Sequence, residues 1–67
     1  MKPDAELRED VIRELAWDQQ VTDPDAIAVA VKDGAVMLVG RVPSYAESLA
    51  AVRAAGRVAG VRAVSAA

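Results

Sequence analysis

The chain of 67 residues contains no cysteine and no histidine. Disulfide bonds, thiolate nucleophiles and zinc held by sulfur are therefore excluded. A hydroxyl nucleophile needs a neighbouring base, and no histidine or cysteine accompanies the hydroxyl-bearing residues, which are Thr22, Ser44, Tyr45, Ser48 and Ser65. The loop aspartates lack the ligand spacing and the bidentate glutamate of an EF-hand; they are Asp18, Asp23 and Asp25. We predict no enzymatic activity, no cofactor and no metal site.

Aromatic residues are scarce, because the chain has one tryptophan, one tyrosine and no phenylalanine. Its core must therefore be built from Ala, Val, Leu and Ile. A chain of about 60 residues buries only roughly 60% of the surface that it exposes when unfolded. We expect one small domain, residues 4–67, of marginal stability and without a large internal cavity. The acidic balance and the lack of aromatics among the basic residues argue against nucleic-acid binding.

The sequence also lacks a long hydrophobic run. Its first ten residues are too charged for a secretory signal, and no segment approaches the roughly 18 apolar residues of a membrane span. As written, the chain is expected to be soluble and cytoplasmic. A periplasmic location is expected instead if a leader has been removed.

Charge is unevenly distributed along the chain. Residues 1–34 carry four cations and nine carboxylates, a net charge of −5, whereas residues 35–67 carry four arginines and only Glu47, a net charge of +3. Two interpretations stay open at this point. Oppositely charged faces attract each other within the fold, or the second half presents a surface to an anion.

The dipeptide Asp33-Gly34 separates two apolar segments, residues 27–31 and 36–39. A two-residue type I′ turn needs positive φ at both positions, which glycine tolerates freely and aspartate better than most residues. We predict a β-hairpin in which alternate side chains share a face. The core face carries Ile27, Val29, Val31, Val36 and Leu38. The opposite face, whose role stays open, carries Ala28, Ala30, Met37 and Val39.

A first helix is predicted before the hairpin. Asp4 is expected to cap it, and its apolar residues recur at helical spacing: Leu7, Val11, Ile12 and Leu15. Glu9 and Arg13 are four residues apart and are expected to pair. Trp17 is expected to fold over the edge of the core, and Val21 to anchor the following loop.

A second helix is predicted after the hairpin, where Gly40 indicates a kink or a close backbone approach. Ser44 and Glu47 have the spacing of a capping box, in which each side chain bonds the backbone amide of the other residue. The core side of the helix is expected to carry Leu49, Val52, Ala55 or Gly56, and Ala59. Gly60 is expected to end the helix with a left-handed conformation, and Val61–Val64 to open a third strand.

This order of elements predicts an α+β fold. A strand, a helix and a further strand favour a right-handed crossover, which places the third strand parallel to the second. We expect a three-stranded mixed sheet with a central second strand and with both helices on one face. The last strand is expected to be short or cut by the end of the sequence.

These spaced features resemble the BON domain, a small bacterial module named after an osmotically inducible protein and nodulation proteins. The resemblance rests on Val11–Leu15, residues 27–42 with the Asp33-Gly34 turn and Gly40, Ser44, Ala55, Val58–Val61 and Val64. It implies an αββαβ fold and phospholipid or membrane association, in an envelope or osmotic-stress context, rather than catalysis. Similar proteins are often periplasmic and often carry two such domains. The short last strand and the lack of a second domain therefore suggest a fragment of a longer protein.

For a lipid-binding module, the candidate headgroup contacts are Arg41, Tyr45, Arg53, Arg57 and Arg62. Each cation near an anionic membrane contributes about 1 kcal/mol, so four arginines give roughly millimolar affinity. Such a module needs a second copy, an inserted apolar tip or oligomerisation. The alternative is that these arginines only solvate the helix and meet the acidic first helix. A competing function is protein interaction or homo-oligomerisation through the open face of the sheet.

Overall fold

The computed structural model describes residues 2–66. It contains helices α1 and α2, a short 3₁₀ turn, and strands β1, β2 and β3. In chain order these are α1 (Asp4–Trp17), the 3₁₀ turn (Pro24–Ala26), β1 (Ile27–Lys32), β2 (Ala35–Gly40), α2 (Tyr45–Gly56) and β3 (Ala63–Ala66). Strand β2 is central, antiparallel to β1 and parallel to β3. The predicted αββαβ order and mixed sheet are confirmed, although Ala67 of the predicted domain lies outside the described residues.

The turn between β1 and β2 has the predicted geometry. Asp33 has φ +51° and Gly34 has φ +82°, which is the left-handed pair that a type I′ turn needs. Lys32 consequently pairs with Ala35, and Val29 pairs with Leu38. One residue of slip would turn every side chain to the other face, so this turn fixes which side chains enter the core.

Two glycines lie where another part of the chain comes close. An added Cβ at Gly34 would stand 2.9 Å from Cγ and Cδ of Arg62, whose amide also donates to the Gly34 carbonyl at 2.8 Å. An added Cβ at Gly40 would collide with the backbone carbonyl of Ala26. The close approach predicted at Gly40 is therefore confirmed.

The core lies between one face of the sheet and the two helices. The sheet supplies Ile27, Val29, Val36 and Leu38, α1 supplies Leu7, Val11 and Leu15, and α2 supplies Ala50, Ala51, Ala54 and Ala55. Val31 and Ile12 are partly buried against this cluster. Val21 is also buried, so its predicted role as the anchor of the loop after α1 is confirmed.

Three details of α1 differ from the prediction. The capping position is Pro3, so Asp4 is already helical, and its carboxylate accepts a hydrogen bond from the Asp33 amide at 3.0 Å instead. Arg13 pairs with Asp10 at 3.2 Å rather than with Glu9. Trp17 is 83% exposed. It follows the buried Leu15 by two residues, about 200° around a helix, and therefore points away from the core.

Helix α2 buries a different side from the one predicted. Four of its alanines pack inward, Ala50, Ala51, Ala54 and Ala55, whereas Leu49 and Val52 are only partly buried, and Gly56 and Ala59 are exposed. Of the predicted set, Ala55 alone is fully buried. Distances between packed elements depend on the side chains at the contact, and alanines allow α2 to lie closer to the sheet and α1 than Leu49 would.

The segment after α2 also differs in detail. Gly60 has φ +98°, as predicted, but α2 has already ended at Gly56, so this glycine shapes the connecting turn rather than the end of the helix. Strand β3 begins at Ala63, two residues later than expected. It comprises the four residues Ala63–Ala66.

Candidate functional site

The predicted headgroup residues do not form one cluster. Arg41 and Tyr45 lie at the end of the molecule where β2 finishes and α2 begins, whereas Arg62 lies against the hairpin turn at the other end of β2. A six-residue strand is about 20 Å long, so these two groups are well separated. Arg53 lies on α2, and Arg57 follows its last residue.

Arg57 is engaged within the protein. Its Nη2 donates to Oε2 of Glu14 at 3.0 Å and to Oδ2 of Asp18 at 3.1 Å, and its Nε reaches Glu14 at 3.3 Å. These bonds raise the pKa of Arg57 above its usual value. The pKa of Asp18 is lowered, first by the Gln20 amide and then by Arg57. For Arg57, the geometry matches the interpretation in which the basic half meets the acidic first helix.

The other three candidate arginines differ from Arg57. Arg41, Arg53 and Arg62 are exposed, and within residues 2–66 none of the three has a carboxylate close enough for an ion pair. Their guanidinium groups are thus available to an external anion. Tyr45 is 78% exposed in the first turn of α2.

The carboxylate of Glu47 is turned inward. The Ser44 hydroxyl accepts from the Glu47 amide at 3.2 Å, which is the predicted half of the capping box. In the other half of a capping box, the Glu47 carboxylate would accept from the Ser44 amide. Here Oε1 of Glu47 instead accepts from the Thr22 amide at 2.6 Å and from the Thr22 hydroxyl at 2.7 Å. Both bonds lower the pKa of Glu47, and the bond from the Thr22 hydroxyl has the larger effect. The buried side chain of Glu47 is therefore held as a carboxylate.

This link ties the loop after α1 to the start of α2, and sequence reasoning missed it. The sequence shows Thr22 as a hydroxyl without a neighbouring base, and Glu47 as a capping-box residue and the one carboxylate of residues 35–67. The spacing of residues in α2 indicates the inward position of Glu47. Residues three, four and seven positions further on share its side of the helix, and these are the buried Ala50, Ala51 and Ala54. A carboxylate on that side needs donors from another element.

The inward position of Glu47 changes the surface charge of the second half. Glu47 is the one carboxylate among residues 35–67, and it is only 7% exposed. In the described part of that half, the exposed charges are therefore all arginines. The negative charges that remain exposed on α1 include Glu6 and Glu9.

The open face of the sheet is exposed as a continuous apolar surface. Ala28 pairs with Val39 and Ala30 pairs with Met37, so the four predicted residues are direct neighbours. Met37 is 48% exposed and Val39 is 45% exposed. Both helices pack on the other face, and nothing within residues 2–66 covers this one.

In the part of the chain that the structure describes, no three potential metal ligands come together. Among the same residues, neither helix has the length and hydrophobicity needed to cross a membrane.

The described residues form a small α+β domain in which Tyr45, Arg53 and the open face of the sheet lie at the surface, whereas Arg62 lines a pocket with Lys2 and Asp33. The family model of the BON domain matches residues 3–67. The chain therefore belongs to the BON domain family, which is known as a family of non-catalytic modules that bind phospholipid or membranes. A search of curated proteins found no match.

Proposed function

We propose that this chain is a non-enzymatic module that associates with anionic phospholipid at a membrane surface, as one part of a larger envelope or osmotic-stress protein. Membership of the BON family supports the class of ligand. Exposed arginines without carboxylate partners are suited to phosphate, because a guanidinium donates two parallel hydrogen bonds to it.

The observation that carries this proposal is the inward-turned Glu47. An anionic surface attracts cations within about a Debye length, roughly 8 Å at physiological salt, and repels carboxylates in the same range. With Glu47 bonded to Thr22, the exposed charge of α2 is the cation of Arg53. A chain of formal net charge −2 thus keeps a positive surface.

The affinity of one such module is expected to be low. With Arg57 engaged by α1, three arginines remain, and at about 1 kcal/mol each they fall short of the roughly 4 kcal/mol of a millimolar complex. Electrostatics alone therefore does not hold a single copy at a membrane. A linked second module would raise the effective concentration.

The test is co-sedimentation with vesicles at millimolar lipid, comparing anionic with neutral vesicles. We expect binding to anionic vesicles that weakens with salt, and a clear loss in Arg53→Ala. The matched control is Arg13→Ala, which removes an exposed arginine that pairs with Asp10 on the acidic helix. Equal binding to neutral vesicles, or an equal loss in both variants, would contradict the electrostatic proposal.

A second candidate function is self-association through the open face of the sheet, with a second copy as the occupant. The exposed Met37 and Val39 favour it. Three strands of up to six residues make a face of about 14 by 20 Å, or roughly 300 Å², whereas stable interfaces cover about 800 Å² per partner. This function therefore ranks second.

Self-association through that face would be weak, and analytical ultracentrifugation over a range of concentrations tests it. The expected result is association that is abolished by Met37→Asp. A monomer at every concentration would reject this function.

A further inference from the structure

Helix α2 has a second apolar stripe, which is only partly buried and in which Val52 also packs against the core. Tyr45, Leu49, Val52 and Gly56 are spaced by four, three and four residues, which aligns them along one side of a helix. The buried alanines occupy the opposite side. Tyr45 is 78% exposed, Gly56 is exposed, and Leu49 and Val52 are partly exposed. We call these four residues the outer α2 stripe; eleven helical steps make it about 17 Å long.

The exposed charge within helix α2 is positive. Arg53 is exposed beside Val52, and Arg41 precedes Tyr45 by four residues. The carboxylate of α2, Glu47, is on the buried side and bonded to Thr22. A helix that combines an apolar side with flanking cations lies in the plane of a lipid interface, and tyrosine is enriched at the depth of the headgroups.

We propose that the outer α2 stripe is the surface that enters the lipid interface, with Tyr45 and Leu49 below the phosphates and with Arg41 and Arg53 beside them. This inference rests on the proposed phospholipid-binding function. It supplies an apolar contribution that the three available arginines lack.

Trp17 offers a competing surface at the end of α1. It is 83% exposed and follows the exposed Arg13 by four residues, but α1, unlike α2, also exposes the carboxylates of Glu6 and Glu9. Anionic headgroups repel these groups. We therefore place the lipid contact on α2, and Trp17 becomes a built-in spectroscopic comparison.

The first experiment is co-sedimentation of Leu49→Asp with anionic vesicles at millimolar lipid. Loss of a buried leucine contact predicts a partition coefficient that is lower by roughly tenfold or more. The matched control is Ala5→Asp, which adds the same charge at an exposed position in the first turn of α1, where a carboxylate is favourable. This control should bind like the wild type, and circular dichroism should show folded protein in both variants.

The outcomes separate this inference from the function on which it rests. If the wild type binds and Leu49→Asp binds equally well, the stripe is overturned and phospholipid binding stands. If the wild type does not bind at all, both are overturned. If Ala5→Asp loses binding as strongly as Leu49→Asp, the effect is one of net charge, and the stripe is again overturned.

A second measurement does not depend on the folding of Leu49→Asp. The double variant Trp17→Phe/Tyr45→Trp carries its one tryptophan at position 45 and changes two exposed side chains. With vesicles that contain brominated lipid, we expect a blue shift and quenching in this variant and neither in the wild type, whose one tryptophan is Trp17. The opposite pattern would place the lipid contact at the end of α1 and overturn the proposal.

Discussion

Helix α1 buries its larger aliphatic side chains, whereas helix α2 buries its smallest ones. On α1, Leu7, Val11 and Leu15 are at most 1% exposed. On α2, the fully buried apolar side chains are alanines, and Leu49 remains partly exposed. The difference shows that hydrophobicity alone does not decide which side of a helix is buried when both sides are apolar. When both sides of a helix are apolar, the distance at which the helix packs against its neighbouring elements determines which side is buried.

Truncating one leucine on α1 and one on α2 tests this comparison with the largest expected effect. Leu15→Ala leaves a cavity in the core and is expected to lower the free energy of unfolding by about 2–5 kcal/mol. Leu49→Ala removes a partly exposed side chain and should cost less than about 1 kcal/mol. Urea unfolding followed by circular dichroism measures both, because Trp17 is too exposed to report on folding.

A domain of this size has a total stability of only about 3–10 kcal/mol. Leu15→Ala is therefore expected either to shift the urea midpoint strongly or to abolish the cooperative transition. If Leu49→Ala destabilised the protein as much as Leu15→Ala does, α2 would be buried on the side that carries Leu49, and the outer α2 stripe would not exist.

The second test enlarges a side chain of α2. Ala54 is fully buried where α2 packs against its neighbours, so Ala54→Leu is expected to lower the free energy of unfolding by about 1–3 kcal/mol through overpacking. Ala46→Leu makes the same change at an exposed position of α2 and should have little effect. A stable Ala54→Leu variant would mean that close packing does not orient this helix.

The sequence was sufficient to predict the elements that local chemistry determines. The Asp33-Gly34 turn specified the strand register, and the Ser44 cap marked the start of α2. Both follow from backbone conformation and nearby hydrogen bonds. The order of elements together with the handedness of crossovers then predicted that β3 is parallel to β2.

The errors concern side chains whose positions depend on distant elements. The apolar pattern of α2 fits two sides of the helix, and its spacing alone does not choose between them. Trp17 is predicted to fold over the edge of the core, but it lies about 200° from Leu15 around the helix and is exposed. Asp4 bonds the hairpin turn rather than its own helix because Asp4 and Asp33 come together only in the folded chain.

The candidate site was predictable in composition but not in arrangement. The four arginines of the second half are evident from the sequence, yet the placement of Arg41 and Arg62 at opposite ends of β2 depends on the fold. The engagement of Arg57 by Glu14 and Asp18 depends on how α1 and α2 pack. The same holds for the inward rotation of Glu47, which determines the charge of the surface.

The smallest expected effect is the pH dependence of the link between Glu47 and Thr22. The folded-state pKa of Glu47 is lowered from its ordinary value of 4.5 by the Thr22 hydroxyl and amide. The carboxylate therefore stabilises the fold above about pH 4.5, and this contribution is lost as pH falls through the lower folded-state pKa. Glu47→Gln keeps an acceptor for Thr22 but removes the titration.

The measurement is the urea midpoint as a function of pH between 5 and 3. The wild type should lose stability toward acid, and Glu47→Gln should lose less. Some acid sensitivity must remain in the variant, because two other carboxylates also have a lowered pKa. The pKa of Asp10 is lowered mainly by Lys2 and also by Arg13. The pKa of Asp18 is lowered mainly by the Gln20 amide and also by Arg57. Identical acid profiles would show that Glu47 is not held as a bonded carboxylate. The positive surface proposed for α2 would then lose its structural basis, because the buried position of Glu47 is what leaves arginine as the exposed charge of this helix.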